Sequence, residues 1–369
     1  MNKLQLIAMT ALSASLAACA GAQAGDPPQA KTPATSISPL IDLYDTVWIR
    51  GEDGTVKTLD QVADDLSQYD VVFFGEFHGH SGIHLAQMQV FRALQQRNAN
   101  MTLSLEQFER DTQPLVDQYL AGEIGEKTLQ EDGRGWDNYE QSYRPLVEYA
   151  RDNGLPVLAA NAPKQAVICV GKKGTEILDE MPQPDRSWVA QDLHVEEGAY
   201  MDKYKGFMSG NSTHGKKQHG ADEEADKEAD EKMAKMMEAM VMKSFSAQVT
   251  RDDTMAESIA RHLQANPGRR VLHLDGNFHS ASHLGTVERL KMRMPDLKIA
   301  VINPVAAEDN KQPVLSDEDA ATGDYILLVQ QVPEMFVSEE RELEFQRKVI
   351  TKRMGNKCVY STETAQHEE

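Results

Sequence analysis

A set of short, continuous apolar runs separated by helical patterns constrains the fold of this 369-residue chain more than any other feature. Strands covered on both faces have continuous apolar sequences, whereas strands with one solvent-exposed face alternate apolar and polar residues. The predicted strands are Val71–Phe74, Thr102–Leu105, Pro156–Ala160, Val271–Leu274, Ile299–Ile302 and Tyr325–Val329. The predicted helices are Gly82–Arg97, Thr112–Leu120, Tyr143–Asn153 and Thr254–Asn266. Strand alternating with helix predicts an α/β fold with a largely parallel sheet flanked by helices.

Residues 194–245 interrupt this alternation, and they predict an inserted smaller helical subdomain or lid. Seven acidic residues lie within Asp222–Glu231, which indicates a solvated helix start, with weak collection of cations as the alternative. Four methionines then recur at the spacing of one helix face: Met233, Met236, Met237 and Met240. Such a stripe predicts packing, because methionine fills irregular gaps; soft thioethers that bind copper(I) or cap a haem are the alternative.

The N-terminus has the pattern of a secretory signal peptide, with Lys3 followed by the uncharged run Leu4–Ala18. The run ends in "LAAC", which resembles the processing motif of bacterial lipoproteins. We therefore predict a signal peptide at residues 1–18 and a membrane anchor through a lipid on Cys19. Since Ala20 follows the cysteine, the usual sorting rule predicts the outer membrane, facing the periplasm. A plain signal peptide cut at a nearby Ala-x-Ala site is the alternative.

Composition and sequence pattern predict the remaining segments of the chain, which are a tether, the α/β domain and a C-terminal tail. Residues 19–39 are small and proline-rich, which predicts a flexible tether. The α/β domain is predicted at residues 40–193 and 246–335, and its first part contains a hairpin that turns at the "DG" of "WIRGEDGTVKTL". Residues 336–369 are predicted to form a charged C-terminal tail.

Charge and cysteine usage limit the partners and the compartment. A net charge of −20 argues against nucleic acid as a partner, because phosphates would be repelled. If Cys19 carries a lipid, two cysteines remain in a compartment that permits disulfides. Cys169 and Cys358 either pair, or Cys169 is a buried free thiol in its apolar run "AVICV".

Two widely separated segments end an apolar run with the same Gly-x-Phe-His motif, in "VVFFGEFHGH" and "VLHLDGNFHS". Since the carboxyl ends of parallel strands meet at one edge of a sheet, Glu76, His78 and His279 are predicted to emerge there together. Glu106 follows a third strand, and His84 begins the helix after the first motif. The predicted catalytic residues are Glu76, His78, Glu106 and His279. Imidazole and carboxylate groups also suit a divalent metal, for which the predicted ligands are Glu76, His78, His84 and His279.

Five separated blocks, in order, resemble the ChaN family of haem-binding lipoproteins in the Tiki superfamily. They are "GEFHGHSGIHLAQ", "LSLEQFERDTQPLVDQYL", "YRPLVEYARDNGLPVLAANAP", "AQVTRDDTMAESIA" and "GNFHSASHLGTVERL". The resemblance implies a large α/β domain with a smaller helical part, iron-regulated haem binding in the envelope, and haem held between the protomers of a homodimer. The inserted segment is longer and more charged than we expect for the family.

Tyrosine and histidine both ligate haem iron, so the sequence offers several candidate ligands. The candidates are Tyr143, Tyr200, Tyr204, His214 and His219, with His194 behind them. The wider superfamily includes metal-dependent proteases and erythromycin-esterase-like hydrolases with twin Gly-x-x-His motifs. Three hypotheses follow: a haem-binding outer-membrane lipoprotein used in iron acquisition, a hydrolase that uses a divalent metal, or an envelope interaction protein whose polar crevice is only structural.

Overall fold

The computed structural model describes residues 37–210 and 225–360. The predicted signal peptide, Cys19 and most of the predicted tether lie outside these ranges, as do His214 and His219. No helix within the described ranges is both long enough and apolar enough to cross a bilayer.

All six predicted strands are present, and each is paired in a single eight-stranded sheet. The strands are β1 (Thr46–Arg50), β2 (Val56–Lys57), β3 (Val71–Glu76), β4 (Met101–Glu109), β5 (Val157–Asn161), β6 (Arg270–Gly276), β7 (Ile299–Ala306) and β8 (Tyr325–Val329). Their order is β2-β1-β8-β7-β3-β6-β4-β5. The pairs between β8 and β5 are parallel, whereas β1 is antiparallel to both β2 and β8. The largely parallel sheet and the N-terminal hairpin are therefore confirmed.

Helices cover both faces of the sheet, which explains why its central strands carry no alternating pattern. The helices are α1 (Leu59–Leu66), α2 (Ser81–Arg97), α3 (Gln113–Leu120), α4 (Glu126–Glu131), α5 (Tyr139–Ser142), α6 (Arg144–Asp152), α7 (Lys164–Lys173), α8 (Ala199–Gly210), α9 (Ala225–Ala265), α10 (Thr286–Arg293), α11 (Asp317–Ala320) and α12 (Glu339–Gly355). Every residue of β3 is buried, and along this strand Val72 and Phe74 join one apolar cluster while Val71 and Phe73 join another. Adjacent side chains on a strand point to opposite faces, so both faces are packed.

The inserted segment differs from the prediction at its C-terminal end. We predicted a helical lid up to residue 245 and a separate helix at Thr254–Asn266, but α9 runs unbroken from Ala225 to Ala265. No glycine or proline occurs in this stretch to interrupt the backbone ladder. One helix thus joins the insert to the sheet domain, and it packs against β5, α7 and α10.

Cys169 and Cys358 form a disulfide, so the first of the two alternatives for these cysteines is confirmed. Cys169 lies in α7 and Cys358 follows α12, and both are buried in a small cluster with Ile177, Leu178 and Val189. The bridge attaches the chain after α12 to the sheet domain.

Candidate functional site

The carboxyl ends of β3, β6 and β4, three neighbouring strands, bring the twin motifs and Glu106 together. The register pairs Gly75 with Asp275 and Glu76 with Gly276. The second motif is therefore shifted by one residue relative to the first, because β6 continues through Asp275 before its glycine. A 3-10 turn after Gly276 then carries His279.

Glu76 is buried and accepts hydrogen bonds from four side chains. On Oε1, Nδ1 of His78 lies at 2.7 Å, the hydroxyl of Tyr143 at 2.5 Å and Nε2 of Gln107 at 3.3 Å. On Oε2, Nε2 of Gln87 donates at 2.8 Å. This carboxylate therefore fixes the orientation of the His78 ring, which also packs edge-on against Trp136 with ring centroids 4.8 Å apart.

Asp252 on α9 fixes the orientation of the His279 ring, as Glu76 does for His78. Nδ1 of His279 donates to Oδ1 of Asp252 at 2.7 Å, and the hydroxyl of Tyr200 donates to Oδ2 at 2.7 Å. Thr286 donates to Oδ1 at 2.9 Å. Asp252 is fully buried, so its negative charge acts on His279 with little screening by water.

The two clusters have the same design, in which a buried carboxylate holds Nδ1 of a histidine and accepts a tyrosine hydroxyl. Both histidines lie close enough to Glu106 for its charge to raise their pKa values. Nε2 of His279 lies 3.6 Å from Oε1 of Glu106. A β-carbon built on Gly276 would lie 3.0 Å from Nε2 of His78 and 3.7 Å from Oε2 of Glu106. We call Glu76, His78, Glu106, Asp252 and His279 the Glu106 site.

In the Glu106 site, the carboxylates stabilise the charged histidines, and the histidines stabilise the charged form of Glu106. Burial by itself lowers the pKa of His279, but the carboxylates of Asp252 and Glu106 outweigh it and raise that pKa to about 9. Burial raises the pKa of Glu106, yet His279 and His78 outweigh this effect and hold the pKa below its ordinary value. For His78, the hydrogen bond to Glu76 and the charge of Glu106 outweigh burial and raise the pKa. At neutral pH, Glu106 is a carboxylate beside the imidazolium of His279.

Asp275 and His273 lie on β6 behind this site, and both are fully buried. Burial raises the pKa of Asp275 well above its ordinary value, and it lowers the pKa of His273 to about 3, so His273 is neutral at pH 7. Oδ2 of Asp275 and Nε2 of His273 have no hydrogen-bond partner and lie 3.9 Å apart. Oδ1 of Asp275 accepts from Ser280, which lies next to His279 in the chain.

The predicted divalent-metal site is not supported. Within the described ranges, no group of three or more His, Cys, Asp or Glu side chains is arranged to hold a metal ion. Both ring nitrogens of His84 are engaged, Nδ1 with the Gln87 amide oxygen at 2.9 Å and Nε2 with the Gly79 amide at 3.3 Å. His84 therefore acts on Glu76 through Gln87 and does not join His78 and His279 as a ligand.

The three predicted haem-ligating tyrosines are all buried, and the hydroxyl of each is hydrogen-bonded. Tyr143 donates to Glu76 and Tyr200 donates to Asp252, while the Tyr204 hydroxyl shares a hydrogen bond with that of Ser244. Burial raises the pKa of Tyr143 and of Tyr200, which disfavours the phenolate that binds ferric iron. The assignment of these tyrosines as haem ligands stays a prediction.

His194 lies elsewhere, at the start of the insert. Its Nδ1 donates to Oδ1 of Asp253 at 2.8 Å, and its side chain is 31% exposed. Asp253 also pairs with Arg293 at 2.8 Å. The adjacent residues Asp252 and Asp253 thus anchor two different histidines.

Sequence reasoning missed Asp252, Gln87 and Gln107 as parts of the site. The acidic pair in "TRDD" was the available signal, since two acids on an otherwise amphipathic helix need partners if they are buried. Nothing in the sequence indicates which of the two acids faces His279.

Comparison with known proteins identifies the family and the fold of this chain. Residues 62–290, more than half of the chain, match the family model described as haem-binding uptake, Tiki superfamily, ChaN. The solved structure of ChaN from Campylobacter jejuni, with cofacially bound haem, is 16% identical, and the match covers 79% of this chain and 100% of that chain with a TM-score of 0.55.

Two further matches are more distant. A mutant of an erythromycin esterase is 11% identical over 79% of this chain and 99% of that chain, with a TM-score of 0.41. The chloroplastic protein RETICULATA-RELATED 5 of Arabidopsis thaliana is 28% identical over 99 residues, which make up 26% of this chain and 14% of that protein. The family match and the shared α/β fold agree, and this chain belongs to the ChaN family of haem-binding uptake proteins in the Tiki superfamily.

Proposed function

We propose that this chain is a lipid-anchored haem-binding protein of the bacterial cell envelope, on the periplasmic side of the outer membrane, that takes part in iron acquisition. The family match over residues 62–290 carries the proposal. The "LAAC" sequence supports a lipid on Cys19, and the disulfide between Cys169 and Cys358 suits an oxidising compartment.

Among the described side chains, His78 and His194 have the contacts most typical of haem ligands. Each has Nδ1 hydrogen-bonded to a buried carboxylate, which leaves Nε2 as the metal-binding nitrogen. The two side chains are 47% and 31% exposed, so a bulky ligand can approach them. When bound, haem would supply iron for coordination and, on release, for uptake.

Exposed apolar surface on α8, beside the Glu106 site, supports α8 as the surface that would contact the porphyrin. Phe207 is 54% exposed, and its ring centroid lies 5.4 Å from that of Phe278, the residue before His279. A separate cavity of about 630 Å³ is lined by charged side chains, and so does not offer an apolar slot: Arg50, Glu52, Asp65, His283, Lys298 and Asp324. Haem on an open platform leaves one face uncovered, which supports binding between the protomers of a homodimer.

Titration of the full chain with haem tests this function. We expect a saturable shift of the Soret band, which weakens in either His78→Ala or His194→Ala and persists in Tyr204→Phe. Absence of a saturable shift in the wild-type chain contradicts haem binding. Metabolic labelling with a fatty acid tests the anchor, and we expect incorporation that is lost in Cys19→Ser.

Acid–base hydrolysis is a second candidate, and the convergence of two anchored histidines on Glu106 favours it. In this scheme Glu106 accepts a proton from water while the water oxygen bonds to the acyl carbon of an ester. The imidazolium of His279 then donates its Nε2 proton to the leaving oxygen as the carbon–oxygen bond breaks. The carboxylate of Asp252 stabilises the positive charge of that imidazolium, as the orienting carboxylate of a catalytic triad does.

A screen of esters and peptides with wild type and Glu106→Gln tests this candidate separately. We expect turnover to fall by about 100-fold or more in Glu106→Gln, the scale of general acid–base catalysis. His194 lies outside the Glu106 site, so His194→Ala should keep this turnover while its Soret shift weakens. Activity that is unchanged in Glu106→Gln contradicts the hydrolytic function and leaves haem binding intact.

A further inference from the structure

The methionine stripe of the insert does not pack against the described residues, contrary to our prediction. Met233, Met236, Met237 and Met240 are 63%, 59%, 61% and 65% exposed on α9. Single exposed apolar residues are ordinary, but four on one helix face form a continuous apolar strip whose exposure to water costs free energy. The stripe therefore has a role other than filling the core.

Helical spacing brings these thioethers within reach of one another. Residues three and four apart on a helix have β-carbons about 5–6 Å apart, and methionine has three flexible bonds beyond the β-carbon. The stripe contains two overlapping sets of three methionines. Met236 and Met237 belong to both sets, with Met233 as the third member of one and Met240 as the third member of the other. Each set can present three sulfurs to one ion.

The ligand chemistry selects a soft monovalent metal. Thioether sulfur is neutral and soft, and in proteins it selects Cu(I) over hard cations such as Mg²⁺. Cys169 and Cys358 are consumed in a disulfide, so neither supplies a competing thiolate. The acidic segment Asp222–Glu231, which precedes the stripe in the sequence, adds negative charge that raises the local concentration of cations.

We propose that Met233, Met236, Met237 and Met240 form a Cu(I)-binding site on the exposed face of α9. The site binds Cu(I) as supplied, with no electron transfer. It shares no residue with the Glu106 site, and it makes this protein a carrier of a second metal in the envelope.

Competition against the Cu(I) complex of bicinchoninic acid, under anaerobic conditions with ascorbate, tests the proposal. The full chain carries Cys19→Ser in all samples to remove that thiol. We expect wild type to withdraw a saturable amount of Cu(I), with and without haem bound. The variant in which all four stripe methionines become leucine should lose this binding, because leucine keeps the apolar face and the helix propensity but has no sulfur.

The matched control replaces three exposed methionines that share no helix face, in Met292→Leu/Met335→Leu/Met354→Leu. These side chains are 56%, 76% and 75% exposed. We expect the control to bind Cu(I) as wild type does, and circular dichroism should report the same helix content in both variants. Addition of Ag⁺ as a redox-inert probe should shift only the four stripe methyl signals in NMR spectra.

Three results would overturn the proposal. The first is full Cu(I) binding by the four-leucine variant. The second is an equal loss in the control, which would show that binding is a general property of exposed methionines. The third is that the wild-type protein takes up no Cu(I), while both the wild type and the four-leucine variant self-associate. That result would make the stripe a protein-docking surface.

Discussion

Gly276 lies across the sheet from Glu76, and a β-carbon on Gly276 would stand 3.0 Å from Nε2 of His78. A contact this short forces the neighbouring group to move. Gly75 is restricted in the same way, since a β-carbon there would lie 2.9 Å from that of Asn277. The glycines of the twin motifs are therefore needed for close approach between adjacent strand ends, and they leave room for the imidazole above Glu106.

Gly276→Ala should displace the His78 ring while the chain stays folded, because the imidazole is half-exposed and can rotate away. Its hydrogen bond to Glu76 then lengthens, and we expect the pKa of His78 to fall towards its ordinary value. An NMR titration of the His78 ring measures this. Gly125→Ala is the control, since a β-carbon at Gly125 meets nothing within 4 Å. An unchanged His78 pKa in Gly276→Ala would refute the steric argument.

Asp252→Asn should remove the main cause of the raised pKa of His279. In the wild type this pKa rises from 6.5 to about 9, so the imidazolium stabilises the fold fully below pH 6.5 and this contribution is lost as pH rises through 9. The contribution is on the order of 3 kcal/mol. Urea unfolding between pH 6 and 9 should show this decline in wild type and a flatter profile in Asp252→Asn. Asp253→Asn, which affects His194 instead, should keep the wild-type slope.

Asp275→Asn should raise the free energy of unfolding at pH 7. The pKa of Asp275 is raised in the folded protein, so above about pH 4 the unfolded state binds fewer protons and the free energy of unfolding falls as pH rises. Asparagine does not ionise, so it removes this loss. Chemical denaturation at pH 4 and pH 7 measures it. A variant less stable than wild type at pH 7 would mean that Asp275 is ionised in the native protein.

Reduction of the disulfide should destabilise the protein by about 2–5 kcal/mol, because the bridge closes a long loop and restricts the unfolded chain. The two cysteines are 189 residues apart. Calorimetry with and without a phosphine reductant measures the effect. The Cys169→Ala/Cys358→Ala variant should melt at the same temperature in both buffers. Equal melting of oxidised and reduced wild type would show that the bridge does not stabilise the fold.

Local sequence patterns were enough to predict the sheet and the position of the site. A strand covered on both faces needs apolar side chains throughout, so the runs around Val71 and Val271 identify buried strands without any knowledge of their neighbours. A glycine at the end of such a run, followed by charged groups, places those groups at the carboxyl edge. That edge is common to all parallel strands, which is why Glu76, Glu106 and His279 were predicted together.

The tertiary structure decided which groups hold the histidines. Asp252 reaches His279 from a helix whose sequence lies between the two motifs, and this contact depends on how α9 crosses the sheet. The contacts of the tyrosines were decided in the same way: Tyr143 and Tyr200 were predicted as haem ligands by residue type, and in the fold their hydroxyls donate to Glu76 and Asp252. The methionine stripe was expected to pack, yet the described chain provides no surface against it.

The sequence by itself thus determined the elements, their parallel arrangement and the polar edge, because these follow from the periodicity and composition of each segment. Only the tertiary structure decided the pairing of Asp252 with His279, the raised pKa of Asp275 and the exposure of Met236. Each of these depends on which groups from distant segments come within a few ångströms, since burial and charge at that distance set both the pKa values and the free space around a side chain.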